Sequence, residues 1–258
     1  MLGLDADPKA LEVARQTLAS YGPSVILVNA NFRNLLDVCR NHDFLPADGI
    51  LLDLGMSSPQ LDDPERGFSF RFDAPLDMRF SPDQQVTASD ILNRYSDSEL
   101  ARLLHEYGEE RHSRRIARHI VARRPITSTH QLVEIIGSVA SRGSGRIHPA
   151  TRTFQALRIA VNQELSALEE ALRQSLQVLR PGGRLVVISY HSLEDRIVKQ
   201  FMVRESRDCV CPSEAPVCTC GHLASMKPIT RKAVVPTEEE IRANPRSRSA
   251  RLRAAERL

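Results

Sequence analysis

Short apolar runs alternate with helical spacings in the first fifty residues of the chain. Residues 1–5 (MLGLD) and Val25–Val28 have strand length, and Ala47–Asp53 (ADGILLD) is a third run that ends, like the first, on an acid. Between the first two, Asp7-Pro8 supplies a helix N-cap and a first-turn proline. Leu11, Ala14 and Leu18 then recur on one helical face until Gly22-Pro23 breaks the pattern. A short helix is predicted near Asn34–Cys39. Strands alternating with helices predict a parallel α/β sheet. Acids at the carboxyl ends of such strands stand where doubly wound folds bind ligands.

The alternation stops after Asp53. Residues 54–80 show neither period, and a long aperiodic stretch inside a compact protein is usually functional. Helical spacing follows. Ser96-x-x-Glu99 and Ser128-x-x-Gln131 read as caps before apolar runs, a basic helix is expected over 110–123, and Gly108 and Pro125 read as stops. From Phe154 to Leu179 apolar residues step by threes and fours, which predicts one long helix ended by Pro181-Gly182-Gly183. Arg184–Tyr190 returns to a buried strand, Ser192 reads as the cap of the next helix, and strand-like pieces near 228–235 and 248–257 flank a short helix at 237–243. The organisation expected is a sheet domain built from 1–80 and 148–258, with an inserted all-helical domain at 81–147.

Composition narrows the class. Of 258 residues, 41% are apolar and 26% charged, which is the balance of a folded protein. No apolar run reaches transmembrane length and the N-terminus does not resemble a secretory signal, so no membrane partner is expected. There is no Trp, which argues against a binder built on aromatic stacking. The net charge of +3 conceals a division: residues 1–110 sum to −10 and residues 111–258 to +13. Residues 111–124 hold six Arg and residues 142–158 four, neither with an acid. A polyanion such as RNA would be drawn to the second half, and the Arg fork suits phosphate; solvated helix faces are the alternative. Five cysteines make no even disulfide set, and a reducing, cytoplasmic compartment is expected.

Four constellations carry candidate chemistry. Asp5 ends the first strand, where an acid commonly accepts the ribose hydroxyls of a nucleoside cofactor. Asp53 opens Asp-Leu-Gly-Met-Ser-Ser-Pro-Gln, a loop of small polar residues. An exocyclic amine is a poor nucleophile because its lone pair is delocalised into the ring. An acceptor must hold its N–H groups and turn the lone pair toward a methyl donor, so that orientation supplies most of the rate. His191, in Ser189-Tyr190-His191-Ser192, reads as a substrate contact or proton shuttle, or as part of a good helix start. Cys209-x-Cys211 and Cys218-x-Cys220, followed by His222, could hold a structural zinc, or could be unliganded loop thiols.

Taken together, GLDADP, DGILLDLGMSSPQLDDPERGFSFRFDAPLDMR, EYGEERHSRRIARHI, HPATRTFQALRIAVNQEL, LRPGGRLVVISYHSLEDRIVKQFM and NPRSRSARLRAAERL resemble the bacterial small-subunit ribosomal RNA cytosine-N4 methyltransferases (MraW-like). The resemblance implies a Rossmann-like S-adenosylmethionine-dependent methyltransferase sheet with an inserted helical domain. It implies methylation of a cytidine N4 amine in small-subunit ribosomal RNA, with the RNA or the small ribosomal subunit as partner and no catalytic metal. Carried across, Asp5, Phe32, Asp53 and Gln60 are the expected cofactor contacts. Asp53, Ser57, Ser58 and His191 are the expected catalytic set, and the Arg-rich insert with the Arg152 region the expected RNA surface.

The family pattern also has a strand and a Gly-Gly-His loop ahead of the Asp5 strand, and here the sequence opens on the Asp5 strand itself. The expectation is a truncated form, in which the strands at 1–5 and 47–53 lack the neighbour that pairs between them. A non-catalytic ribosomal RNA-binding protein is the competing class. A nicotinamide dehydrogenase is disfavoured, because no G-x-G-x-x-G is present.

Overall fold

The computed structural model describes residues 1–139, 148–215 and 217–258, so Arg142 and Arg146 of the second basic block lie outside the described residues. The chain forms two compact units. One comprises Met1–Asp5, Arg15–Gly55 and Leu165–Leu258, and the other Ala6–Ala14 and Met56–Glu164.

The first unit holds the sheets. Strands β1 (Leu2–Asp5) and β2 (Ile26–Asn29) pair in parallel. A second sheet has the order β3-β4-β6-β5, with β3 (Ala47–Asp53), β4 (Leu179–Ser189), β5 (Met226–Pro228) and β6 (Arg251–Arg257). The β3–β4 pair is parallel, while β6 runs antiparallel to both β4 and β5. β1 and β3 share no ladder. Ile50, Leu52, Leu185 and Val187 of the sheet pack with Leu168 and Leu172 of one helix (Glu164–Val178) and with Val198 and Met202 of another (Ser192–Glu205). Each such side chain, fully buried, contributes roughly 1.5–3 kcal/mol. The other face of β3 is different, for Leu51 is 63% exposed.

The second unit is helical. In chain order its helices are α3 (Ser58–Asp62), α4 (Ala88–Arg94), α5 (Asp97–Gly108), α6 (Ser113–Ala122), α7 (Thr129–Val139) and α8 (Ala150–Asn162); the chain's first two helices are α1 (Pro8–Thr17) and α2 (Leu35–Asn41). Its core joins Leu100, Leu104, Ile116, Ile120, Leu132 and Ile136 to Phe68, Leu76 and Met78 of the aperiodic segment and to Phe154 and Leu157 of α8. Thr87 and Ser96 start α4 and α5 with capping boxes closed by Asp90 and Glu99.

This is the α/β class expected, with the helices of the second unit forming a core of their own, and several local readings are corrected. The long helix from Phe154 to Leu179 is two helices, α8 and α9 (Glu164–Val178), because Gln163 adopts the left-handed conformation at φ 51°. α5 passes its left-handed turn to Glu109, and Gly108 is needed for another reason. A Cβ there would stand 2.6 Å from the Arg152 carbonyl oxygen. Ser57 and Gln60 form a capping box that starts α3 inside the segment read as aperiodic. Residues 229–235 form no strand beyond a single bridge from Val234 to Leu252. The cap of α10 (Ser192–Glu205) is His191 rather than Ser192.

Candidate functional site

The parallel pairing of β3 with β4 places Asp53 opposite Ile188, two residues before Tyr190. Asp53 is exposed at the strand end, and the Tyr190 hydroxyl donates to its Oδ1 at 3.0 Å. Burial pushes the phenol up to about 12, helped by the negative charges of Asp53 and Glu194 and by its hydrogen bond to Asp53. Tyr190 therefore remains a donor across ordinary pH. The turn after Asp53 needs Gly55, whose φ of 90° is costly for any residue with a Cβ.

The start of α10 fixes Tyr190 from behind. Buried Glu194 accepts the backbone N–H of Tyr190 at 2.8 Å and of His191 at 3.2 Å, both on Oε2. His191 Nδ1 accepts the Glu194 N–H at 3.4 Å, and its Nε2 lies 3.2 Å from Glu194 Oε1 in a geometry too oblique for a hydrogen bond. The imidazole thus faces the first turn of its own helix. Buried Asp195, next in line, binds Arg253 Nε at 2.7 Å and Arg251 at 3.2 Å, clamping α10 to β6. Tyr190 was not among the expected site residues. Its position straight after the resumed strand was the only available signal.

The other expected nucleoside contacts in the sheet unit sit at strand ends. Asp5 closes β1 and is half-buried, and Phe32, also half-buried, opens the 3-10 turn after β2 and packs against the sheet core.

The expected Ser57, Ser58 and Gln60 belong to the helical unit. The Ser57 hydroxyl caps α3, and Ser58 is exposed. Gln60 is buried with both ends of its amide engaged: Oε1 accepts the Ser57 N–H at 2.9 Å and Nε2 donates to Asp7 Oδ2 at 2.8 Å. Asp7 does more than cap α1. It accepts the Lys9 N–H at 2.9 Å and pairs with Arg66 Nη1 at 2.8 Å, and Arg66 donates on to the carbonyls of Arg79 and Phe80.

The basic helix α6 has two faces. Ile116, Ala117 and Ile120 are buried, whereas Arg114, Arg115 and Arg118 are exposed and pair with no acid among the described residues. Arg111, just ahead of the helix, is exposed as well, whereas four other arginines of the basic blocks are employed differently. Arg123 donates to Ser138 and Arg124 to the carbonyls of Leu92 and Tyr95, Arg152 donates to the Glu109 carbonyl, and Arg158 grips Glu164 with two bonds.

Comparison with known proteins adds the wider context. The model of the MraW methylase family matches residues 1–258. The chain belongs to the MraW methylase family. Among relatives, the ribosomal RNA small subunit methyltransferase H of Dehalococcoides mccartyi is 56% identical over 258 residues, spanning 100% of this chain and 74% of its own length. Proteins of the same name from Heliobacterium modesticaldum and Thermomicrobium roseum are 54% and 53% identical, and this chain spans 84% and 80% of their lengths. This MraW family member is accordingly a methyltransferase, and the Rossmann-like sheet expected from the resemblance is that of its family. No helix among the described residues is long and apolar enough to cross a membrane.

Proposed function

We propose that this chain transfers a methyl group from S-adenosylmethionine to the N4 amine of a cytidine in small-subunit ribosomal RNA, in the cytoplasm. The observation that carries the reading is the Asp53–Tyr190 pair at the ends of two adjacent parallel strands.

Asp5 offers a half-buried carboxylate at a strand tip, suited to ribose hydroxyls, and Phe32 a half-buried ring suited to adenine. Both fit the nucleoside half. When bound, S-adenosylmethionine supplies a methyl group made electrophilic by its sulfonium.

The protein's own part is orientation. The Asp53 carboxylate accepts an N–H of the cytosine amine, which turns the nitrogen lone pair toward the donor. Tyr190 holds that carboxylate in one rotamer. His191 and Glu194 act as positioning residues, since together they fix the Tyr190 backbone. Ser57 and Gln60 set the start of α3, and we assign them a positioning role as well. The proton lost on methylation leaves through Asp53 to solvent.

RNA is held by the exposed face of α6. Each phosphate contact contributes about 0.9 to the log–log dependence of affinity on salt for a duplex. Replacing Arg114, Arg115 and Arg118 together by Glu should lower that slope by about 2.7 if each makes one contact. Affinity at low salt should fall roughly tenfold or more. Filter binding across a salt series measures both, and an unchanged slope removes α6 from the RNA surface.

The reading as a whole is tested by incubating the chain with S-adenosylmethionine and small-subunit RNA from cells lacking the modification, then identifying nucleosides by mass spectrometry. N4-methylcytidine is the expected product. Salt-dependent RNA binding without any methylated nucleoside would instead support the competing reading, a non-catalytic RNA-binding protein.

A further inference from the structure

The loop between α10 and β5 has no hydrophobic core. Val217 is 71% exposed and Leu223 75%, and no helix or strand is formed among its described residues. Its neck is closed by bonds from Ser225 N to the Glu205 carbonyl at 2.8 Å, from the Ser225 hydroxyl to Glu205 Oε2 at 2.7 Å and from Ala224 N to Asp208 Oδ1 at 3.1 Å. Beyond that neck, two Cys-x-Cys turns converge. Cys209, Cys211, Cys218 and Cys220 are all free thiols, yet their four Sγ atoms lie within 4.8 Å of one another. Cys218 Sγ is 3.7 Å from Cys220 Sγ, which is 3.8 Å from Cys209 Sγ. Contacts between thiols are weak, and no hydrophobic packing among the described residues of this exposed loop accounts for the convergence.

We infer that the four cysteines form a tetrahedral zinc site that pins this loop. The distances are the argument. With zinc–sulfur bonds of about 2.3 Å, the edge of a tetrahedral tetrathiolate is about 3.8 Å, which matches the two sulfur separations above. A disulfide requires about 2.05 Å. The Val210 N–H points at Cys220 Sγ at 3.5 Å, as backbone donors do toward a metal-bound thiolate. His222 does not belong to the set: neither ring nitrogen lies within 4.8 Å of all four sulfurs, and its Nε2 is turned to the Arg204 carbonyl at 3.2 Å. Four sulfurs close the coordination sphere, so the site is structural and holds no open position for a substrate. Binding converts the four thiols to thiolates and releases their protons to solvent. The metal lies outside the Asp53–Tyr190 chemistry, and its presence does not depend on which RNA the protein modifies.

The test uses the whole chain, purified under reducing conditions. Elemental analysis after gel filtration should find one zinc per chain. Replacing zinc by cobalt should give the intense sulfur-to-metal charge transfer and the d–d bands of a tetrahedral tetrathiolate. Thiol titration of the native protein should find these four cysteines protected with zinc and reactive once it is chelated. The double variant Cys218→Ser, Cys220→Ser should retain no zinc. Should that variant fail to fold, the cobalt spectrum and thiol titration of the unaltered chain still decide. The inference is overturned if reduced protein reconstituted with equimolar zinc elutes without it. It is equally overturned if the thiols react alike with and without zinc, or if the cysteines are found paired as disulfides.

Discussion

Asp53→Ala should lower the rate of methyl transfer by about 10²- to 10³-fold, with RNA affinity nearly unchanged. Loss of one orienting group at a reacting atom costs about this much, because misplacement by about 1 Å alone is worth a hundredfold. Asp53 is exposed and its side chain faces the Tyr190 hydroxyl, so the substitution leaves the sheet core untouched. The effect should fall on kcat, with little change in KM for RNA. Asp53→Asn keeps an acceptor oxygen and should retain part of the rate. Tyr190→Phe should cost less, since it frees the carboxylate rotamer without removing the acceptor. Because the phenol is pushed up to about 12, it keeps its proton below that pH, and the rate profile should show no break from Tyr190 there. Single-turnover transfer of a labelled methyl group at saturating donor measures all three variants. Wild-type rates for Asp53→Ala would remove this carboxylate from the reaction.

Asp53 could be found in the sequence and Tyr190 could not, for a physical reason. A run such as ADGILLD declares a strand locally, and an acid at its end is conspicuous. The Tyr190 contact exists only because β4 pairs beside β3 across 137 residues of chain, which no local pattern encodes. The caps show the same division. Ser96 and Glu99 are three apart and were legible, as were the strands at Leu2–Asp5 and Ile26–Asn29. The break at Gln163 was hidden, since apolar spacing runs straight through it and neither Gly nor Pro marks the left-handed turn. Gln60 was visible as a polar residue in a suggestive loop, but its partner Asp7 lies 53 residues earlier and determines what the amide does. The exposed arginines of α6 and the inward-facing Arg158 looked alike in a charge count. Only packing separates a free cation from one already committed to Glu164.

Asp7 provides the sharpest test of what holds the helical unit together. Asp7 is 1% exposed, and its carboxylate receives the Lys9 N–H, the Gln60 amide and the Arg66 guanidinium. Asp7→Ala would strand the Arg66 charge, itself mostly buried, and leave the Gln60 amide without its acceptor. Removing one member of a buried ion pair costs about 3–5 kcal/mol, because the partner's desolvation is no longer compensated. The expected result is a loss of that size in urea unfolding of the helical unit around neutral pH. The acid side follows with a definite sign. Burial raises the Asp7 pKa, but the hydrogen bonds from Gln60, Arg66 and Lys9, together with the Arg66 charge, outweigh it, so the folded value lies below the ordinary 3.8. A carboxylate depressed on folding stabilises at pH above its unfolded pKa, and that stability drains away as pH falls through the folded value. Stability of the natural protein should therefore decline in acid more steeply than that of Asp7→Ala. Asp77, whose carboxylate is likewise held low by Arg79 against its own burial, keeps some of the decline in both proteins. Parallel urea titrations from neutral pH down into acid would show the two curves converging, and curves separated by a constant gap would mean that the Asp7 carboxylate carries no linked proton.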